Sequence, residues 1–420
     1  MLKKYSRRQF IKGAFGTLGA AGIASSMSIP RLISAEETSN ERKFLFVFAQ
    51  GGWDQTHLFA PLWNNRHIDM EPSSFLGEIG GIQFVDSEAK PYVRDFLQRY
   101  HNQTCFINGI GVRSLAHNTC MRLIYSGTPN TISNDWASII AAHSQANPLM
   151  PLVVMSGPNY VSDFTSAVTR VGNNGQLGDL FEPEQFTPAD LDALEDLWVQ
   201  DLHNLRTSRA GMHDYLRDKT LTAEMNLQDI QDLRHEIDLQ PSTDEYAENT
   251  SFKDDLNLAI TLLSGNAARC VSLRHKGWMG LGYDTHAANE LQVLSLNELF
   301  GDLLSVYQSI EASNPVLFEN LTIVLLSEMG RFPKLDSRQG KTHWMHTSSV
   351  LIGSGVRGNQ VIGAYDNDCY GQPISLETGE VSQNGDYLLP SHLGSTLLQL
   401  ADIPLTEDLA DYPAIQAVIR

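Results

Sequence analysis

The sequence predicts an α/β fold: a central, mostly parallel sheet flanked by helices, with a helical insertion. Three observations predict it. Short apolar runs bounded by glycine or polar residues recur from about residue 43 to the end of the chain. Segments with helical spacing of apolar residues alternate with them. Between about 187 and 266 the strand signal stops and acidic helical patterns replace it.

The first strand is Phe44–Ala49, five of whose six residues are aromatic or branched apolar. A run of this kind suits a strand buried on both faces, as parallel sheets require. A helix is expected over Tyr92–Tyr100, then a strand over Thr104–Asn108, a helix over Trp136–His143 and a strand over Leu152–Met155. ADLDALEDLWVQDLHNLRT and LTAEMNLQDIQDLRHEIDL then read as amphipathic helices. This insertion is either a lid over a site or a structural cap, and the cap is the simpler reading. Ala268–His275 is the next strand. Glu290–Glu311 is a long helix carrying Leu291, Leu294, Leu299, Leu303 and Leu304 on its apolar face. Strands Leu321–Ser327 and Val350–Gly353 follow, and Ser391–Ala401 closes the series with Ser391 as the expected N-cap.

Residues 1–35 stand apart from the domain at 43–420. Lys3 and Lys4 lead into Ser6-Arg7-Arg8-Gln9-Phe10-Ile11-Lys12, followed by a weakly apolar stretch rich in glycine and alanine. This resembles a twin-arginine signal peptide, with cleavage expected near Ala35. It implies the twin-arginine export machinery as a partner and a periplasmic or secreted location. An uncleaved signal would be the sole membrane contact, since its glycines and serines make a poor spanning helix.

The chain holds 30 Lys+Arg and 49 Asp+Glu; residues 1–35 contain six of the bases and no acid, so the remainder carries 24 against 49, a balance of −25. Such a surface repels nucleic acid and anionic lipid. It admits a small anionic ester substrate only where a metal or a local basic cluster reverses the field. Cys105, Cys120, Cys270 and Cys369 form no CxxC pair.

Ligands of open α/β sheets bind beyond the carboxyl ends of the strands. Asp54 follows the first strand after Gly51 and Gly52, and His117 lies in RSLAHNTC. Asp284 and His286 lie in GLGYDTHAAN, Glu328 in LLSEMGR, and His343 and His346 in KTHWMHTSS. Each alone reads as a turn or hydrogen-bonded structural residue. Together, as carboxylates and imidazoles past strand ends, they have the composition of a site for a divalent metal (zinc, manganese or calcium), holding one or two ions. Arg331 reads as an anion-binding fork or as the ion-pair partner of Glu328. Trp53 reads as core; Trp344 could be core or site wall.

The blocks FVFAQGGWD, SLAHNTC, GWMGLGYDTHAAN, LTIVLLSEMGRFPK, GKTHWMHTSSVLIGSGVRGNQVIG and GDYLLPSHLGSTLLQLADI, in this order, resemble the secreted family of domain of unknown function 1501, within the alkaline phosphatase–sulfatase superfamily. The resemblance spans the mature chain. It implies a metal-dependent phosphate or sulfate ester hydrolase, with Asp54, Asp284, His286, Glu328 and His343 as metal ligands. His117 would be acid/base or ligand, and Arg331 and Thr119 would take part in catalysis. Three departures stand out. Glu328-Met329-Gly330-Arg331 replaces an Asp-His pair, Thr342-His343 replaces another, and Ser114, Thr119 and Cys120 near His117 form no clear nucleophile motif. The alternative is a non-catalytic periplasmic binding or envelope-assembly protein on the same fold.

Overall fold

The computed structural model describes residues 41–171 and 251–420. The expected signal at 1–35 lies outside them, as does the expected insertion up to residue 250. Of that insertion's range, only the end is described. There Ser251 caps the helix Phe252–Ser264, whose Leu256, Ala259 and Leu262 are buried.

Among the described residues twelve strands follow in chain order: β1 Lys43–Ala49, β2 Phe75–Ile79, β3 Ile82–Asp86, β4 Thr104–Gly111, β5 Leu152–Val154, β6 Val168–Arg170, β7 Cys270–His275, β8 Leu321–Leu326, β9 Gly330–Arg331, β10 His343–Trp344, β11 His346–Gly353 and β12 Gln360–Ile362. Eight of them build one sheet in the order β12-β4-β11-β8-β1-β7-β5-β6. β11 alone is antiparallel to its neighbours, so the sheet is mostly parallel as expected. The six strands predicted from apolar runs are all present. β6 and β12, three residues each, the β2–β3 hairpin and the two-residue strands β9 and β10 were not predicted.

Every residue of β1 is buried, and β1 lies between β7 and β8 in the middle of the sheet. Register brings Ala49 level with His275, and Phe48 level with Leu326. The chain therefore leaves β1, β7 and β8 at one edge. β11 runs the other way and begins at that same edge, with His346 opposite Gly111 at the end of β4. Antiparallel β11 thus places its N-terminal lead-in, which carries His343, where its neighbours place their C-terminal loops.

Helices cover both faces. Pro91–Tyr100 packs on Leu291–Ser313 through aromatic contacts, Phe96 with Phe300 at 5.4 Å and Tyr100 with Tyr307 at 4.7 Å. A core cluster joins Phe44, Phe46 and Phe48 to Ile124, Trp136, Leu393 and Leu397 of other helices. The last helix is Pro390–Leu400, so Ser391 is not its N-cap. Pro390 has a backbone fixed for a first helical residue, and the Leu389 N–H donates to His392 Nδ1 at 3.1 Å. All four cysteines are buried thiols. Among the described residues no helix is long and apolar enough to cross a membrane.

Candidate metal centre

Four segments meet at the sheet edge. His117 opens the helix His117–Ser126, reached from β4. Asp284 and His286 stand on the loop after β7. Glu328 follows β8, and His343 lies in β10, paired with Arg331 of β9. The Gly-Gly turn after β1 makes this meeting possible. Gly51 has φ +120°, and a Cβ there would lie 2.3 Å from Asp284 N. The bare backbone lets the turn press against the Asp284 loop while the Gly51 N–H donates to both Glu328 oxygens, at 2.9 and 3.0 Å.

Three imidazole nitrogens converge on one carboxylate. His117 Nε2 is 3.0 Å from His343 Nε2, and His286 Nε2 is 2.9 Å from the same atom. Asp284 Oδ2 lies 3.4 Å from His117 Nε2; its Oδ1 lies 3.2 Å from His286 Nε2 and 3.5 Å from His343 Nε2. The other nitrogen of two rings is committed. His343 Nδ1 sits 2.7 Å from the Leu115 carbonyl oxygen, so it donates and Nε2 presents a lone pair. His117 Nδ1 donates to Glu328 Oε1 at 2.9 Å. An outer carboxylate or carbonyl that fixes the tautomer of an inward-facing histidine is the usual setting of a metal-ligating ring. Among the described residues His117, Asp284 and His343 form a group able to hold a metal ion, with His286 in contact with two of them.

The electrostatics agree with this geometry. Burial alone would raise the Asp284 carboxyl, but bonds from His117 and Arg331 hold it well below the usual carboxylate range. Asp284 and Glu328 push His117 up to about 9, so without a metal its Nε2 keeps a proton directed at Asp284. Burial lowers His343, which stays neutral with its lone pair inward.

The expected residues do not all meet here. Glu328 is fully buried behind His117 and reaches the centre through that ring. Asp54 is not brought to the cluster. Its Oδ1 accepts from Thr56 N and Oγ1 at 2.9 and 2.8 Å, and its Oδ2 meets Asn289 Nδ2 and Lys341 Nζ, each at 2.7 Å. The turn therefore serves Glu328 rather than aiming Asp54. Arg331 is neither paired with Glu328 nor open to an anion. Its guanidinium donates to Gly51 O, to Gly52 O at 3.0 Å, to Lys341 O at 3.1 Å and to Asp284 Oδ1 at 2.6 Å. Thr119 lies half-buried in the first turn of the His117 helix. Burial lifts the Cys120 thiol to about 11, which removes it as a ready nucleophile. His346 faces Gly109 and Gly371, away from the ligand set. Trp53 and Trp344 are both buried; Trp344 packs between Phe332 and Tyr370.

Sequence reasoning missed two features. Gln292 ties the hinge to the Asp284 loop, accepting from Asp54 N at 2.6 Å and donating to Gly52 O, Tyr283 O and Thr285 Oγ1. Its amide is hidden in an otherwise apolar helix pattern. Arg274 and Lys276, at the end of β7, line a cleft of about 360 Å³ with Gln50, Gly51, His117 and Asp284. The signal was the basic run Arg274-His275-Lys276 closing an apolar strand.

The family described as "Protein of unknown function (DUF1501)" matches residues 41–378. No curated protein matches the chain. Among solved structures the chain is similar to Ps i-CgsB, at 9% identity and TM-score 0.43, over 89% of this chain and 75% of that one. It is similar to the PsFucS1 sulfatase from Pseudoalteromonas sp., at 8% identity and TM-score 0.38, over 98% and 77%. It is also similar to a protein in the alkaline phosphatase superfamily from Vibrio parahaemolyticus, at 10% identity and TM-score 0.38, over 88% and 72%.

Proposed function

The chain belongs to the DUF1501 family, and we propose that this member is an exported metal-binding hydrolase of phosphate or sulfate esters. The observation that carries the reading is the convergence of His117, His286 and His343 Nε2 on the Asp284 carboxylate, with Glu328 and the Leu115 carbonyl fixing two of the rings. Three imidazoles and one carboxylate suit zinc or manganese better than calcium, which takes oxygen ligands. A divalent ion bound there supplies Lewis acidity toward the ester oxygens.

The chain's own groups have defined tasks. Arg331 holds Asp284 in place, and Glu328 holds the His117 ring. Arg274 and Lys276 offset the acidic surface at the cleft, so an anionic ester can enter. Hydrolysis consumes one water: its oxygen joins phosphorus or sulfur, the ester oxygen leaves, and the leaving oxygen takes up a proton.

A second reading keeps the metal without turnover, in a periplasmic binding or envelope-assembly protein. The engagement of Arg331 in four internal bonds favours it, because the strongest candidate anion fork is already occupied. Elemental analysis of the mature protein purified without chelator tests both. The expected result is about one equivalent of a transition metal, lost in His343→Ala, together with cleavage of an aryl phosphate or aryl sulfate. Metal without cleavage of either ester selects the second reading. Absence of metal even after reconstitution overturns both.

A further inference from the structure

The cleft beside the metal group has two chemically different walls. One is cationic. Arg274 Nη1 donates to the neutral Gln50 Oε1 at 2.9 Å, while its Nε is buried without a hydrogen-bond partner. Among the described residues no carboxylate forms an ion pair with Arg274. Lys276 lines the same cleft. In a chain whose residues 36–420 carry 24 bases against 49 acids, an arginine that lines the cleft beside the candidate centre without a carboxylate partner is a recognition element for an anion.

The other wall is apolar. The loop after β7 exposes Trp278 at 36%, Met279 at 76% and Leu281 at 56%. Leu281 and Gly280 line the cleft itself. The loop is held in this form: Trp278 N donates to Ser295 Oγ at 2.9 Å, Gly280 N to Gly277 O at 2.9 Å and Gly282 N to Lys276 O at 2.6 Å. Met279 has φ +52°, a costly conformation for a side chain that stays in water. Three large apolar side chains within four residues, exposed on a loop whose Gly280 and Leu281 line the cleft, form an apolar contact surface.

We infer that the cleft takes an amphiphilic anionic ester, with Arg274 holding the tetrahedral oxyanion and Trp278, Met279 and Leu281 receiving an apolar leaving group. This deepens the hydrolase reading and rests on it for the reaction. The binding claim stands on the cleft alone. Phosphate and sulfate heads share the recognised chemistry.

The test is calorimetric binding of unreactive probes to the full mature protein: methylphosphonate, octylphosphonate and octyl sulfate. Each fully buried methylene changes affinity roughly fourfold. The wild type is expected to bind octylphosphonate at least about tenfold more tightly than methylphosphonate, because several methylenes reach the loop. Met279→Ser/Leu281→Ser brings octylphosphonate down to the methylphosphonate level. Arg274→Gln weakens both phosphonates about tenfold or more, as loss of a charged hydrogen bond requires. Octyl sulfate binding tighter or weaker than octylphosphonate tells which head the cleft prefers.

Equal binding of the short and long phosphonates by wild type overturns the inference, as does unaltered binding by Arg274→Gln. Cosedimentation with neutral phosphatidylcholine vesicles, abolished in Met279→Ser/Leu281→Ser and without any chain-length preference for phosphonates, would make the loop a membrane contact and also overturn it. Ester cleavage without chain-length preference sinks this inference and leaves the hydrolase reading intact. Chain-length preference in a protein that takes up no metal does the reverse.

Discussion

Arg331 Nη2 lies 2.6 Å from Asp284 Oδ1, although the arginine is fully buried and the aspartate side chain is 46% exposed. The guanidinium reaches outward from the sheet edge and holds a surface carboxylate from behind. It also donates to the Gly51, Gly52 and Lys341 carbonyls, so one side chain fixes the Gly-Gly turn, the β10 lead-in and the candidate ligand together. That is a positioning role. It accounts for a buried charge by giving it four hydrogen bonds, one of them to a carboxylate.

Arg331→Lys should therefore lose more than a charge would suggest, because an ammonium cannot reproduce the planar fork. We expect metal affinity to fall about 10- to 100-fold and stability to fall by about 2–4 kcal/mol. Metal titration and urea unfolding measure the two separately. A lysine variant that binds metal like wild type would show that Asp284 needs no clamp.

His117 contributes to the pH dependence of the metal-free protein. Its bonds to Asp284 and Glu328 raise it to about 9, above the 6.5 of an ordinary histidine. The sign follows directly: the folded state favours the proton, so this stabilisation is complete below about pH 6.5 and is lost as pH rises through about 9. Metal binding must displace the same proton, so metal affinity should rise across that window. NMR titration of His117 with chelator present, and metal titrations at several pH values, check both trends. Affinity that is flat or falling between pH 6.5 and 9 contradicts the assignment.

Much of the fold was legible because β1, β4, β7, β8 and β11 are largely buried and each contains a short run rich in apolar residues. β6 and β12 were not, since these edge strands of three residues mix polar with apolar side chains, whereas the equally short β5 is all apolar. Gly80-Gly81 between β2 and β3 was a readable hairpin signal that went unused. In the site, Asp54 and Asp284 look alike locally, each an acid in a glycine-rich loop past a strand. What separates them is Lys341, which reaches Asp54, and Arg331, which reaches Asp284. Those partners are distant in sequence and brought near only by the β1–β8 register and the β9–β10 ribbon. The role of Arg331 was hidden for the same reason: the carbonyls it binds belong to another strand's turn.

Asp54→Asn separates stability from metal binding. Burial alone would raise the Asp54 carboxyl, but the Lys341 charge overrides this and holds it well below the usual range. Asparagine leaves the Lys341 ammonium buried without its counter-charge, at a cost of about 3 kcal/mol or more. The metal content should stay at the wild-type level. The depressed carboxyl contributes stability that is present above about pH 4 and is withdrawn as pH falls below it, so the acid sensitivity of wild type should be blunted in the variant. Loss of metal in a folded Asp54→Asn protein would return Asp54 to the ligand set.

Glu328→Gln tests whether the outer carboxylate tunes the centre or merely fills space. The amide is nearly isosteric, and its oxygen can still accept from His117 Nδ1. Its NH₂ must then face the Gly51 N–H or Ser327 Oγ, and the negative charge that favours the His117 imidazolium is gone. Two readouts should move together. The His117 titration in the metal-free protein should fall from about 9, and metal affinity should drop about 10- to 100-fold, because the ring becomes a weaker donor. Glu328→Asp should restore part of the affinity, since it returns the charge at the cost of reach. A purely structural Glu328 predicts a different pattern: both variants would lose stability, and the His117 titration would stay where it was in whatever fraction remained folded.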